Sequence, residues 1–287
     1  MASPTFLAIG HVTRDLDDGA CRVGGAAAYA ALTAQRLGYA ARVVTRAGAD
    51  LAARLDALLP GVAVACGASR DTTTFRNTYV AGRREQWLLA VAEPIALADV
   101  PVAWRRSDIV LLAPVAGELG SDMLHLSARS LLGVSAQGWM RRRGEDGRVH
   151  KALWVDAGAA LRWADAIVFS EEDVGGDWEL VATYAAQARV LAVTEGARGA
   201  TIFARGAATH VPAFPARAVD PTGAGDVFAA ALLVCLRETG GPVAAARFAS
   251  CAASFAVEDL GTAGVPTRQQ VEERLRRASG PPASPTE

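Results

Sequence analysis

Short apolar segments of strand length alternate with segments of helical pattern along most of the chain. An alanine-rich helix is predicted between Gly24 and Gly38, and further helical patterns cover residues 51–59 and 181–188. Strands that alternate with helices form a mostly parallel sheet, whose two faces must both be covered by helices. The sequence therefore predicts an α/β fold, a three-layer α/β/α sandwich. Its expected strands are residues 6–10, 41–45, 109–113, 131–135, 166–169 and 190–194.

The charge balance argues against nucleic acid or a membrane as the main partner. The 287 residues include 29 Lys+Arg and 30 Asp+Glu, a formal net charge of −1, so the chain as a whole does not attract polyanions. No apolar run approaches the roughly 20 residues that span a bilayer, and the first residues lack the pattern of a secretion signal. The 4 cysteines lack metal-binding spacing, and we expect them to be buried thiols. These features favour a cytoplasmic protein.

The basic residues are almost all arginine, because Lys151 is the single lysine of the chain. A Walker P-loop needs a lysine before Ser or Thr, and a protein kinase needs a strand lysine that faces the phosphates. Neither pattern is present. If the chain binds phosphate groups, backbone N–H groups, arginine and a metal ion must do so.

One stretch interrupts the alternation of strands and helices. β-forming residues lie on both sides of Ala81-Gly82, which predicts an antiparallel hairpin over about residues 71–92. A turn at Ala81-Gly82 puts Phe75, Asn77, Tyr79, Gln86 and Leu88 on one face and Arg76, Thr78, Glu85 and Trp87 on the other. Both faces are mixed in polarity. This composition favours a lid over a site, and an exposed edge hairpin is the alternative.

The segment Asp220-Pro-Thr-Gly-Ala-Gly-Asp226 carries the strongest chemical signal, because a turn of small residues leads directly into an apolar helix. Such a turn directs several N–H groups outward, and the helix dipole adds partial positive charge, so the segment predicts an anion site. Asp226 would repel a phosphate there unless it accepts a proton from an attacking hydroxyl. The alternative is that Asp226 only complements the helix dipole.

This segment, continued through Val-Phe-Ala-Ala, resembles the C-terminal signature of the ribokinase-like (pfkB) carbohydrate kinases. The helix after Gly24-Gly25 resembles the N-terminal signature of that family. The resemblance extends over about residues 6–275 and includes Thr194-x-Gly196-x-x-Gly199 and Gly261-Thr-Ala-Gly-Val-Pro266. It implies a ribokinase-like fold and an ATP-dependent kinase that uses Mg²⁺, and it leaves open a monovalent cation such as K⁺ near Gly261.

The resemblance also implies roles for individual residues. Asp226 is expected to be the catalytic base, and the N–H groups of Gly223, Ala224 and Gly225 the anion hole for the γ-phosphoryl group. The expected nucleotide-binding residues are Thr194, Gly196, Gly199, Gly223, Gly225 and Gly261. Asp15, Gly24 and Gly25 are expected to bind the acceptor, although Asp15 could instead cap local backbone and the glycines could only permit a tight turn. Ser170 and Asp173 are expected to bind the metal, with an acidic helix start as the alternative.

Three features depart from the family pattern. Tyr29 occupies a position where the family signature usually has asparagine. Ser170-Glu-Glu-Asp173 replaces the usual Asn-x-x-Glu motif. The short spacing between Asp15 and Gly24 leaves little room for lid strands, so the lid is expected to consist mainly of residues 72–91.

The acceptor is the least constrained part of the prediction. Residues 72–79 and Ser135-Ala-Gln-Gly-Trp-Met-Arg141 resemble an inositol-kinase-like branch of the family. Gln137 and Trp139 follow a predicted strand and would project from its carboxyl end, so Gln137 and Arg141 are expected to bind the acceptor. Trp139 as a packed core aromatic is the alternative.

The sequence thus predicts a single kinase domain over residues 1–277, followed by a disordered tail at 278–287. The predicted reaction transfers the γ-phosphoryl group of ATP to a hydroxyl of a small neutral polyol, either a sugar or a cyclitol such as inositol. A nucleoside kinase is the main alternative, because Phe75, Tyr79 or Trp87 could stack on a base. A non-catalytic ligand sensor would be expected to lack Asp226, and a dinucleotide-binding dehydrogenase would need a glycine-rich turn after the first strand. The sequence does not distinguish a monomer from a homodimer.

Overall fold

The computed structural model describes residues 3–17, 20–80 and 83–278. Its strands are β1 (Thr5–Ile9), β2 (Thr13–Asp17), β3 (Ala20–Gly24), β4 (Ala40–Ala47), β5 (Ala63–Ala68), β6 (Thr74–Val80), β7 (Arg83–Ala90), β8 (Ile109–Leu112), β9 (Leu131–Ser135), β10 (Arg141–Arg143), β11 (Val149–Lys151), β12 (Ala166–Ser170), β13 (Val190–Thr194), β14 (Gly199–Ala204) and β15 (Ala207–Pro212). Its α-helices are α1 (Ala26–Arg36), α2 (Ala49–Ala52), α3 (Leu55–Leu58), α4 (Ala157–Trp163), α5 (Trp178–Ala185), α6 (Ala224–Thr239), α7 (Pro242–Ala256) and α8 (Arg268–Ala278).

A 9-stranded sheet forms the middle layer, in the order β15-β14-β13-β12-β9-β8-β1-β4-β5. In this order, the seven strands from β13 to β5 are parallel to one another. Strands β14 and β15 add to the β13 side as antiparallel strands. All six predicted strands belong to this sheet. Strands β5, β14 and β15 were not predicted. The edge strands β5 and β15 are partly exposed and do not form continuous apolar runs, and β14 joins the sheet through its antiparallel pairing with β13 and β15.

Alternate residues of the central strands pack on opposite faces of the sheet. Phe6 and Ala8 of β1 belong to a core shared with α1, α6, α7 and α8, whereas Leu7 and Ile9 belong to a second core shared with α4 and α5. This alternation follows from the two-residue period of a strand. The predicted three-layer α/β/α sandwich is confirmed.

The helices differ from prediction at their ends. The predicted helix over residues 51–59 is two single-turn helices, α2 and α3. Helix α5 begins before the predicted residue 181, because the Asp177 carboxylate accepts hydrogen bonds from the N–H groups of Glu179 and Leu180 and caps an earlier turn.

A second sheet of 4 strands, in the order β3-β2-β6-β7, forms the lid. Strands β6 and β7 pair in the predicted register, with Phe75 opposite Leu88 and Asn77 opposite Gln86. The expectation that the lid consists mainly of residues 72–91 is wrong, because β2 and β3 supply the other half of the sheet. The short spacing between Asp15 and Gly24 is sufficient since the two strands are only 5 residues each. The proposed turn at Ala81-Gly82 lies outside the described residues.

Three further expectations concern exposure and chain ends. Cys235 and Cys251 are buried as expected, but Cys66 is half-buried and Cys21 is exposed on β3. The predicted tail starts one residue too early, because Ala278 is the last residue of α8, and residues 279–287 lie outside the described chain. In the described part of the chain, no helix combines the length and the apolar character needed to cross a membrane.

Candidate active site

A cavity of about 760 Å³ lies between the lid and the carboxyl ends of the parallel strands. Loops after β8, β9, β12 and β13 open into it, which is where open α/β sheets bind ligands. The predicted site residues on its wall are Asp15, Gly25, Gln137, Arg141, Ser170, Thr194, Gly196, Gly199, Gly223, Ala224, Gly225 and Asp226. Of the predicted site residues, the cavity wall does not include Gly24, Asp173 and Gly261.

The N-terminus of α6 supplies the predicted anion hole. Gly223 is its N-cap with φ +79°, in the left-handed region, and Asp226 lies in the first turn. No contact within 4 Å would meet a side chain at Gly225, so this part of the backbone faces open space. In the described residues, the N–H of Ala224, the third predicted donor, already donates to the Pro221 carbonyl oxygen over 3.4 Å, whereas the N–H groups of Gly223 and Gly225 donate to no protein acceptor. They are therefore available to an anion at the positive end of the helix dipole.

Tyr29 of α1 packs directly against this turn. A Cβ atom at Gly223 would lie 2.3 Å from Cε1 of Tyr29, so the close approach of the ring requires glycine there. Burial, and then the charges of Asp226, Asp15 and Asp220, raise the pKa of the Tyr29 phenol. The phenol thus stays neutral beside three carboxylates. Where the family signature usually has an amide, this chain has an aromatic side chain that supports the anion hole from behind.

Asp15 lies on strand β2, at the lid end of the cavity. This part of the wall, with Gln86, Gln137 and Arg141, is the predicted acceptor end. Asp15 is 8% exposed, and its Oδ1 accepts a hydrogen bond of 2.8 Å from the Thr13 hydroxyl. Gly24 lies opposite Thr13 on β3, and a Cβ there would lie 2.2 Å from Oδ2 of Asp15. Gly25 has φ +94°, and a Cβ there would lie 2.3 Å from the His11 carbonyl oxygen. Gly24 therefore makes room for Asp15, whereas Gly25 permits the turn into α1.

A chain of polar side chains connects the lid to the turn after β12. Gln86 donates from Nε2 to Asn77 Oδ1 over 3.0 Å and accepts at Oε1 from Arg141 over 3.2 Å. Arg141 also reaches Asp173 Oδ1 at 3.5 Å, as does the Gln137 amide. Asp173 Oδ2 accepts the Ser170 N–H at 2.9 Å. Gln137 and Arg141 thus lie in the cavity as predicted, and Gln86 is an additional lining residue that sequence analysis placed only on the lid face.

The two predicted metal ligands touch each other, but they do not both line the cavity. Ser170 lines the cavity, whereas the buried Asp173 carboxylate is turned toward Arg141, Gln137 and the Ser170 backbone. Among the described residues, no group of three or more His, Cys, Asp or Glu side chains has an arrangement that could hold a metal. Glu172 lies on the cavity wall beside Ser170 and offers the oxygen ligands that Mg²⁺ prefers.

The part of the wall around Gly196, Gly199 and Phe214 is the predicted donor end, and it combines backbone and apolar groups. Gly196 and Gly199 have positive φ, and a Cβ at Gly199 would lie 2.1 Å from the Val211 carbonyl oxygen. Beyond them, Phe214, Ala253 and Val257 line an apolar section of the wall. Gly261 contributes indirectly, because its N–H donates to Asp220 Oδ2, whose other oxygen accepts the Thr222 N–H. Asp220 thereby joins the turn at Gly261 to the turn before α6.

Several residues of the site had no signal in the sequence. Arg198 lines the donor end and pairs with Glu171, whose pKa it lowers. Phe214 follows the edge strand β15, which the apolar pattern did not reveal. Only the fold brings these residues to the cavity.

Trp139 and Trp87, two candidate ligand contacts, do not line the cavity. Trp139 stacks on Trp154 at 5.6 Å between ring centroids and donates its indole N–H to the Leu119 carbonyl oxygen over 2.9 Å. Trp87 contacts the Arg76 guanidinium, 5.2 Å from its ring centroid, on the lid face opposite Phe75 and Gln86. Trp139 is therefore a packed core aromatic, and Phe75 is the lid aromatic that lines the cavity.

Comparison with known proteins agrees with this geometry. Residues 165–268 match the pfkB family of carbohydrate kinases. The chain is 42% identical to the ribokinase of Bacillus subtilis (strain 168) over 111 residues, and 34% identical to the inositol 3-kinase of Zea mays over 239 residues. These matches cover 38% and 74% of this chain, but only 36% and 59% of the two relatives.

Solved structures share the whole fold. A pyrophosphate-dependent kinase in the ribokinase family, complexed with a pyrophosphate analog and myo-inositol, superposes with a TM-score of 0.79 at 23% identity. The superposition covers 94% of this chain and 100% of that one. At this level of identity the likeness establishes the fold, which is the ribokinase fold that the sequence predicted.

Proposed function

We propose that this chain transfers the γ-phosphoryl group of ATP to a hydroxyl of a small neutral polyol, because residues 165–268 match the pfkB family of carbohydrate kinases. The acceptor class is a sugar or a cyclitol such as inositol. The observation that carries this proposal is the position of Asp226, which faces the same cavity as the anion hole of α6 and the Asp15 carboxylate.

The geometry supports an in-line transfer between the two ends of the cavity. Asp15, held by Thr13, can accept hydrogen bonds from acceptor hydroxyls and so orient one of them toward α6. Asp226 would take the proton of that hydroxyl as its oxygen attacks the γ-phosphorus and the bond to the bridging oxygen breaks. The N–H groups of Gly223 and Gly225 would stabilise the negative charge on the transferred group, and ADP would leave along the donor end.

The arginines favour an acceptor without a phosphate group. A phosphate on the acceptor would need a cluster of cations. The candidates are Arg14 and Arg22, within two residues of Asp15 and Gly24, and Arg76 and Arg141, in the two segments that resemble the inositol-kinase-like branch. Three of the four make contacts away from the cavity: Arg14 pairs with Asp50, Arg22 with Asp17, and Arg76 contacts Trp87. Arg141 alone of the four lines the cavity. A single guanidinium in a cavity that Asp15 also lines gives a dianionic ester little net attraction.

The apolar wall at the donor end supports ATP as the phosphoryl donor. Phe214, Ala253 and Val257 provide a surface on which a purine could pack, and pyrophosphate has no group that would use it. Pyrophosphate is the competing donor, because a structural neighbour of this chain is described as pyrophosphate-dependent.

A magnesium ion is part of the proposal. Ser170 Oγ and Glu172 are the cavity-facing oxygen groups nearest the turn after β12, and they would hold the ion together with donor phosphates and water. The ion would neutralise charge on the transferred phosphoryl group.

The decisive experiment is a coupled screen for ADP or phosphate release. Each of ATP and pyrophosphate is offered with ribose, fructose, myo-inositol, a nucleoside and the corresponding monophosphate esters, with Asp226→Asn as the control. We expect release with ATP and a neutral polyol in the native protein only. Release that is highest with a phosphorylated acceptor or a nucleoside would replace the proposed acceptor class.

A further inference from the structure

Arg141 is the positively charged group of the acceptor end, and a buried carboxylate faces it. Among the described residues that line the cavity, Arg141 and Arg198 are the basic ones, and Arg198 lies at the donor end. Arg141 Nη2 lies 3.5 Å from Asp173 Oδ1, and the Asp173 side chain is only 4% exposed. Because water hardly reaches this carboxylate, its effect on the guanidinium is weakly screened.

Hydrogen bonds hold both partners in place. Asp173 accepts the Ser170 N–H at one oxygen and the Gln137 amide at the other. Arg141 donates to Gln86, whose own amide is oriented by Asn77, the only asparagine of the chain. Asp173 and Gln86 therefore fix Arg141 with its N–H donors in the pocket and its charge compensated from behind.

The charges at this end of the cavity disfavour an anion. Arg141 is paired with the buried Asp173 carboxylate, and Asp15 places a second carboxylate on the cavity wall. An acceptor hydroxyl can still use the N–H donors of Arg141 and the oxygens of Asp15. An acceptor carboxylate or phosphate would meet a guanidinium already neutralised by Asp173, and it would also face Asp15.

We propose that Asp173 determines the charge selectivity of the acceptor site, by neutralising Arg141 and so reserving the cavity for neutral polyols. This inference rests on the proposed function, because it concerns the acceptor of that reaction. It assigns to Asp173 a role in acceptor selection, and the metal-binding role expected from the sequence stays a separate prediction.

The test measures binding rather than turnover. D-glucose and D-glucuronate share one ring and differ by a carboxylate, and their affinities are compared by isothermal titration calorimetry. In Asp173→Asn, Arg141 is no longer neutralised, and we expect the glucuronate-to-glucose affinity ratio to rise about tenfold or more over the native protein. The rise must disappear in the double variant Asp173→Asn/Arg141→Gln. Glu179→Gln, which removes an exposed carboxylate on α5, should leave the ratio unchanged.

An unchanged ratio in folded Asp173→Asn, or a rise that persists without Arg141, overturns the proposal. If Asp173→Asn does not fold, Arg141→Gln is compared with the double variant. The ratio of Arg141→Gln should fall about tenfold below the native ratio, because the buried Asp173 charge is then uncompensated and repels glucuronate, and the double variant should restore the ratio. A ratio that stays the same in both variants would mean that Asp173 has no effect on the charge selectivity of the acceptor site. Since the readout is binding, a failure here is distinct from the absence of phosphoryl transfer, which would count against the proposed function.

Discussion

The two ends of the cavity differ in the groups that form them: backbone groups at the donor end and side chains at the acceptor end. At the donor end, the anion hole and the loop after β13 are built from backbone, with Gly196, Gly199, Gly223 and Gly225 as the critical positions. At the acceptor end, side chains from four separate segments meet, and their contacts with one another define the pocket. The difference implies different responses to mutation. The donor end should fail when a side chain is added, and the acceptor end should change its affinity when a side chain is altered.

The largest effect is expected from Asp226→Asn. Asparagine has nearly the same shape and cannot take the proton, so kcat should fall about 10²- to 10⁴-fold while ATP affinity is retained. Steady-state kinetics with saturating acceptor and calorimetric ATP binding give the two values. A folded variant with near-native kcat would remove Asp226 from the mechanism.

The next effect separates two glycines of the same turn. Gly223→Ala places a methyl group on the Tyr29 ring at positive φ, which should lower the free energy of unfolding by about 1–3 kcal/mol. Gly225→Ala meets nothing in the protein and lies in a helix, so stability should be kept, while kcat/KM for the donor falls about tenfold or more. Chemical denaturation and initial rates distinguish them. Equal loss of stability in both variants would mean that the glycines serve only the fold.

A smaller effect is expected at the acceptor end from Gln86→Ala. The change removes the oxygen that holds Arg141, so KM for the acceptor should rise about three- to tenfold with little change in kcat. Arg76→Ala on the opposite face of the lid is the matched control and should leave KM as it is. A similar rise in KM for both variants would point to a general loosening of the lid.

The smallest effect concerns pH and Tyr29. The pKa of Tyr29 is higher in the folded protein than in the unfolded chain. Its contribution to the free energy of unfolding is therefore fully present below about pH 10 and is lost as the pH rises above that value. Tyr29→Phe should flatten that decline. Burial and Glu238 also raise the pKa of Tyr39, to about 12, so part of the slope should remain. Unfolding curves between neutral and alkaline pH test this, and an unaltered slope in Tyr29→Phe would contradict the assigned pKa direction.

The same difference explains which parts the sequence could predict. The strands of the sheet interior, the lid register of β6 and β7 and the turn before α6 all depend on residues that are close in sequence. The orientation of Asp173 depends on Arg141 and Gln137, which come from another loop, and the presence of β2 and β3 in the lid depends on pairing with β6. Local patterns carry no information about such contacts, so the sequence alone could not place Asp173 beside Arg141.

The central claim is that Asp226 acts as the base when a phosphoryl group passes from ATP to a neutral polyol. It is tested most directly by following the product with ³¹P nuclear magnetic resonance. The protein is incubated with ATP, Mg²⁺ and myo-inositol or another polyol selected by the screen, beside an identical sample of Asp226→Asn. We predict a phosphomonoester resonance that grows with ADP in the native sample and is nearly absent in the variant. Release of inorganic phosphate without an ester, or ester formation at equal rates in both samples, would contradict the account.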